Sequence, residues 1–261
     1  MRAKEIELGF DDTRREVAIG TRMLTQFGLS AGVRASLGHV SVRVPEDPTR
    51  FVVKGRGYQM DTLERMRPDD QVVCDLDANL IEGPANIVPC FEVKIHSCIY
   101  KARPDVQSVV HVHPKFTTVL SVMGAQIRSM ANEGNRLVMD PLPVYPKQKI
   151  IVTDAEGTEV ARLLGAGKAE LLYGHGAVTA GDSMEHSVTD MIQLEHQAEM
   201  TYYAYAMAGP NHGYVTREQV IEFGTGNQWD LPHFKQAREH SGPTQFGGLW
   251  RAWHDEAAGQ L

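Results

Sequence analysis

Three short apolar runs early in the chain, the first two separated only by a tight turn, limit what this sequence can fold into. His39-Val40-Ser41-Val42-Arg43-Val44 alternates with the period of a strand, and Phe51-Val52-Val53 and residues 71–76 read as two more. Pro45-Glu46-Asp47-Pro48 and Asp75-Leu76-Asp77-Ala78-Asn79 carry turn chemistry. The first link has no room for a crossover helix, so antiparallel hairpins are expected.

Helical signals surround these strands. Val17, Leu24 and Phe27, with Asp12 or Thr13 as a cap and Gly28 as a stop, predict a helix over residues 11–27. An amphipathic helix is expected over 92–101, ending before Arg103-Pro104. The apolar run Ser108-Val109-Val110-His111-Val112-His113 then reads as a buried strand that stops at Pro114. A helix over 115–123, strands at 149–153 and 170–173, and a long helix over 183–207 follow, with the Gly209-Pro210 break behind them. Past Asn211 only a short helix near 217–222 is legible. With no internal repeat and no low-complexity linker, the expectation is one α/β domain over 1–261, a mixed, mainly antiparallel sheet covered by helices, with a variable tail from about 211.

Composition removes several function classes. The net charge is −7 and no Lys/Arg run exceeds a pair, so nucleic acid is not an expected partner. No apolar run approaches a membrane span, and charge occupies the N-terminal stretch where a signal peptide needs apolar residues; a cytoplasmic protein is expected. Cys74, Cys90 and Cys98 lack CxxC spacing, which speaks against a disulfide framework or a zinc finger; Cys74 and Cys98 read as reduced core thiols.

Histidines carry the chemical signal. His111 and His113 are two apart on a strand, so both side chains leave one face and can reach one ion. Alone, the pair is equally compatible with two polar residues at a strand end. His175, in Tyr173-Gly174-His175-Gly176, follows an apolar strand, and its flanking glycines permit a sharp turn and a close approach. Together the three make a candidate metal site with an open position. Glu92, at a helix start, fits either a helix-dipole partner or an acid/base next to a cation. In Lys54-Gly55-Arg56-Gly57 a guanidinium joins flexible backbone, which suits carboxylate or phosphate capture as well as a solvated turn. His39, after Ser36-Leu37-Gly38, is open in the same way, and His96 reads as a core or supporting histidine. Glu195, His196 and Glu199 suggest a second metal site, but Glu195 and His196 face different directions and the Met/Tyr stripe there suits packing or subunit contact.

In order along residues 11–207, Gly38-His39-Val40-Ser41-Val42-Arg43, Glu92-Val93-Lys94-Ile95-His96, Ala102-Arg103-Pro104-Asp105, His111-Val112-His113 and Gly174-His175-Gly176-Ala177 resemble the class II aldolase/adducin family. The resemblance implies a three-layer α/β/α fold and a homotetramer. It implies one divalent metal ion (Zn, Mn, Fe or Co) on His111, His113 and His175, with Glu92 transferring protons. The phosphate-binding positions of the sugar-phosphate aldolases differ here: Pro89-Cys90-Phe91 replaces a serine pair, Arg56-Gly57 a Thr-Gly pair, and His39 an asparagine. Fewer hydroxyls and an added guanidinium favour a carboxylate substrate. That moves the expectation toward the family's metal-dependent decarboxylases of hydroxylated aromatic acids, of the dihydroxyphthalate and hydroxypyridine-dicarboxylate types, with Arg56, Gly57, His39 and Ser36 holding substrate. An aldolase or epimerase acting on a sugar, and a non-catalytic adducin-like interaction module, are the alternatives.

Overall fold

The computed structural model describes residues 10–226, 230–241, 246–259 and 261; the N-terminal stretch read above as charged lies outside them. Helix α1 (Phe10–Gln26) carries Asp11 and Asp12 in its first turn, where they favour the helix dipole. Strands β1 (Gly38–Arg43), β2 (Arg50–Arg56), β3 (Gln71–Asp75) and β4 (Leu80–Glu82) follow as an antiparallel meander, and β5 (Val88–Pro89) pairs with the end of β2. Then come α2 (Val93–Ala102), β6 (Ser108–Val112), α3 (Lys115–Met123), α4 (Asn135–Val138), β7 (Val144–Tyr145), α5 (Asp154–Leu164), β8 (Ala169–Leu172), β9 (Gly176–Gly181) and α6 (Met184–Ala208). Three further helices, α7 (Arg217–Thr225), α8 (Pro232–Ser241) and α9 (Gly248–Ala258), lie in the C-terminal segment.

The sheet order is β4-β3-β2-β1-β6-β9-β8-β7, antiparallel throughout except for β7 beside β8. Alternation along the strands sends side chains to two cores. On one face Val40, Val110 and Val112 pack against Ile19 and Met23 of α1, Leu120 of α3, and Val188 and Met191 of α6. On the other, Phe51, Val109 and Val178 pack against Ile95 and Ile99 of α2 and Val160 of α5. The fold is therefore three-layer α/β/α with a mainly antiparallel mixed sheet. Each such large apolar side chain, once buried, contributes about 1.5–3 kcal/mol.

Some expectations are corrected. Residues 149–153 form no strand: Ile150 and Val152 are exposed, and the Ile151 N–H donates to the Glu92 carboxylate (3.0 Å) instead of to a strand neighbour. The strand at that edge, beside β8, is β7, and β4 forms the opposite edge. Helix α5, strand β9 and helices α8 and α9 were not expected, and α9 adds Trp250 and Ala257 to the α1 core. Cys74, Cys90 and Cys98 are free and buried, with burial pushing the Cys74 thiol up to about 12. Among the described residues no helix is long and apolar enough to cross a membrane.

Candidate metal centre

Strand parity builds the centre. On β6, Val110 and Val112 face the α1/α6 layer, so His111 faces the α2 side, and His113 follows two residues later in the same phase. The β8–β9 hairpin delivers His175. Gly174 turns with φ of 60°, and a Cβ on Gly176 would lie 2.3 Å from the Val112 carbonyl oxygen, so only glycine lets the hairpin approach β6 this closely. Glu92 sits just before α2 (φ −102°, ψ 28°), makes no cap bond to its own helix, and turns its carboxylate to the histidines.

Glu92, His111, His113 and His175 each bring one ligand atom into a cluster no wider than 4.8 Å. Glu92 Oε2 lies 3.2 Å from His111 Nε2 and 3.4 Å from His175 Nε2, and the His111 and His113 Nε2 atoms are 3.1 Å apart. The ring centroids of His113 and His175 are 4.5 Å apart.

His111 Nδ1 meets the Ala177 carbonyl at 2.9 Å. A carbonyl only accepts, so Nδ1 carries the hydrogen and Nε2 of the neutral ring presents a lone pair to the cluster. That lone pair faces a carboxylate oxygen and another ring nitrogen, an arrangement that calls for a cation at its centre. Three imidazole nitrogens with one carboxylate fit a divalent metal of the Zn, Mn, Fe or Co type. Burial opposes the Glu92 charge, but positive charge beside it, on the His111 and His175 rings or on a cation they hold, keeps the carboxyl well below the usual carboxylate range. Burial, with His111 and His175, pushes His113 down to about 3.

A cavity of about 590 Å³ opens onto this cluster, lined in part by Gly32, Arg34, His113, Lys115, Thr118 and His175. Arg34 and Lys115 make its mouth cationic. Sequence reading missed both, although Lys115 stands directly behind the ligand strand. A larger cavity of about 950 Å³, beside Arg136, Lys168 and Asp190, contains none of the cluster residues.

The other expected site residues are placed unequally. His39 pairs with His111 across the β1–β6 ladder, with ring centroids 5.1 Å apart, and so lies beside the centre. Arg56 lies over the Phe91 ring, next to Glu92, with one guanidinium nitrogen on Asp61. Asp61 also holds the buried Lys54 at 2.6 Å, so two cations share one carboxylate and a net positive charge remains. Gly57 turns the chain with φ of 116°. Ser36 lies half-buried before β1, and among the described residues its hydroxyl has no hydrogen bond to any of these groups. A second buried set, His39, Cys90 and His96, also brings ligand-type atoms within 4.8 Å. There, burial pushes His96 down to about 3 and raises the Cys90 thiol. Glu195 accepts from the Phe116 and Thr117 N–H groups and the Thr117 hydroxyl, capping α3, and among the described residues it joins no metal-type cluster.

The family model described as Class II Aldolase and Adducin N-terminal domain matches residues 15–202. The chain belongs to this family. Within it, the chain is 29% identical over 205 residues to a 3,4-dihydroxyphthalate decarboxylase of Arthrobacter keyseri, covering 75% of this chain and 80% of that protein. It is 26% identical to gamma-adducin of Rattus norvegicus over 66% of this chain and 24% of adducin. In fold it is similar to L-fuculose 1-phosphate aldolase from Glaciozyma antarctica PI12, with TM-score 0.75, 20% identity, and 98% and 92% of the two chains covered.

Proposed function

We propose that this chain is a metal-dependent carbon–carbon lyase that removes a carboxylate, as carbon dioxide, from a hydroxylated aromatic (di)carboxylic acid. The observation that carries the reading is the forced lone pair of His111 Nε2, aimed with His113, His175 and the Glu92 carboxylate at one point. His111, His113 and His175 would hold the metal. A divalent cation there supplies Lewis-acid stabilisation of the charge that builds on the substrate's oxygens.

The chain's own residues do the rest. Glu92, held in its ionised form, accepts the proton of a substrate hydroxyl. When the carbon–carbon bond to the leaving carboxylate breaks, its electron pair stays on the ring carbon. Glu92 returns a proton to that carbon. Ile151 N–H fixes the other carboxylate oxygen, so only Oε2 faces the reaction. Arg56, in a Lys54–Asp61–Arg56 trio that carries one net positive charge, would hold a second substrate carboxylate, and Gly57 lets the backbone approach it. Ser36 and His39 would bound the same pocket. A homotetramer and a single functional unit over the whole chain form part of this proposal.

Similarity to a decarboxylase over three-quarters of the chain favours this reaction over aldol cleavage. The likeness to a sugar-phosphate aldolase keeps an aldolase or epimerase as the second reading. Metal-loaded protein incubated with dihydroxyphthalates and, separately, with hydroxy-sugars and their phosphates separates them. Carbon dioxide from the first panel alone is expected; aldehyde release or epimer formation from the second would overturn the proposal. Protein active on neither, with no bound metal, would point to an adducin-like module.

A further inference from the structure

A line of buried hydrogen bonds runs behind the centre, from Tyr100 through Ser41 and His96 to His39. The Tyr100 hydroxyl and Ser41 Oγ are 2.7 Å apart, Ser41 Oγ and His96 Nδ1 2.7 Å, and His96 Nε2 and His39 Nδ1 2.6 Å. Tyr100, Ser41 and His96 are at most 1% exposed. Burial leaves each of these groups dependent on the others for its partners, because an unpaired polar hydrogen here is costly.

The line can run in only one direction. The phenol hydrogen of Tyr100 needs an acceptor, and Ser41 Oγ is its hydrogen-bond partner. The neighbouring Val109 backbone N–H can only donate to the phenol oxygen. Tyr100 therefore donates to Ser41. The Ser41 hydroxyl must then donate to His96 Nδ1, which forces the His96 hydrogen onto Nε2. That hydrogen goes to His39 Nδ1, which accepts, and the His39 hydrogen is left on Nε2. Among the described residues His39 Nε2 has no partner, and it is not among the buried unpaired atoms, so it remains accessible beside His111.

We infer that His39 is a fixed hydrogen-bond donor to the substrate, and that Tyr100, Ser41 and His96 are positioning residues that lock its tautomer. Neutral imidazole with a free N–H beside the His111 ring stabilises negative charge on a substrate oxygen bound there and rejects a donor at the same place. A ring free to choose its tautomer would present a lone pair half the time and bind anionic oxygen less well. The same bonds occupy the nitrogens of His39 and His96 that face each other, so the His39–Cys90–His96 set is a relay and not a second metal site. The tautomer assignment stands on geometry alone; the substrate role rests on the proposed reaction.

Nitrogen-15 NMR of histidine-labelled, zinc-loaded protein tests it before any substrate is added, with His39→Gln and His96→Gln used for assignment. Both His39 and His96 are expected neutral with the hydrogen on Nε2 at pH 7. Ser41→Ala, which cuts the line and leaves both rings, is expected to give a mixture of His39 tautomers. A hydrogen on His39 Nδ1 in the wild type, or an unchanged single tautomer in Ser41→Ala, would overturn the inference. In turnover with a dihydroxyphthalate, His39→Gln, which keeps a donor near the Nε2 position, is expected to hold kcat/KM within about 10-fold, while the acceptor His39→Glu loses about 100-fold or more. Equal losses in the two would count against the donor role. Wild-type protein with the expected tautomers but no decarboxylation would defeat the proposed reaction and leave the assignment standing.

Discussion

Two neighbouring sets of buried side chains, Glu92/His111/His113/His175 and His39/Cys90/His96, have metal-binding residue types at metal-binding distances, yet they are chemically opposite. In the first, the remote nitrogen of His111 is used by the Ala177 carbonyl, which leaves the near nitrogen empty-handed and aimed at a carboxylate. In the second, the near nitrogens are joined to each other at 2.6 Å and the far one to Ser41. The Cys90 thiol, raised by burial, stays protonated. What the other ring nitrogen does, more than the residue type, separates a metal ligand from a relay.

That contrast can be broken most forcefully at Glu92. Glu92→Gln is expected to lower kcat by about 100- to 10,000-fold, the usual contribution of a positioned acid/base, with KM little changed; steady-state kinetics on the panel substrate reads this. Arg56→Met should act through binding instead, raising KM for a dicarboxylate about 10- to 100-fold and leaving a monocarboxylate analogue less affected. Cys90→Ser, inside the relay set, should alter kcat by less than about 10-fold, because its protonated thiol takes no part in the reaction.

A second contrast, between Glu92 and Glu170, is thermodynamic. Both are buried carboxyls, but Glu170 on β8 has no side-chain partner, and the Leu164 backbone and Arg162 only partly offset burial, which pushes its pKa up to about 9. The folded state keeps its proton while the unfolded chain releases it near the ordinary value, so Glu170 lowers stability as pH rises from about 4.5 toward 9. Glu170→Gln should flatten that decline and stabilise the protein by about 1–3 kcal/mol at pH 8, measured by denaturant unfolding at several pH values. A steeper decline in the variant would refute the assignment.

Much of the sheet was legible in the sequence because β1 alternates with strand period and β2, β3 and β6 are short apolar runs, and strand parity put His111 and His113 on one face. Residues 149–153 misled because β-branched Ile150, Ile151 and Val152 imitate a strand, and sequence cannot show that no partner strand lies beside them. Helix α5 was readable in principle, since Thr153 and Glu156 form a capping box, while the glycines and alanines of β9 concealed a strand. His39 was visible as a candidate. Its link to His96, Ser41 and Tyr100 was not, because those contacts join β1 to α2 across more than fifty residues.

Metal content is the most direct measure of the central claim. Purified wild-type protein should carry about one divalent ion per chain by elemental analysis. His111→Ala should lose it, and His96→Gln should keep it. Metal retained in His111→Ala, or lost only when His96 or Cys90 is changed, would assign the ion to the wrong set of histidines and contradict the account.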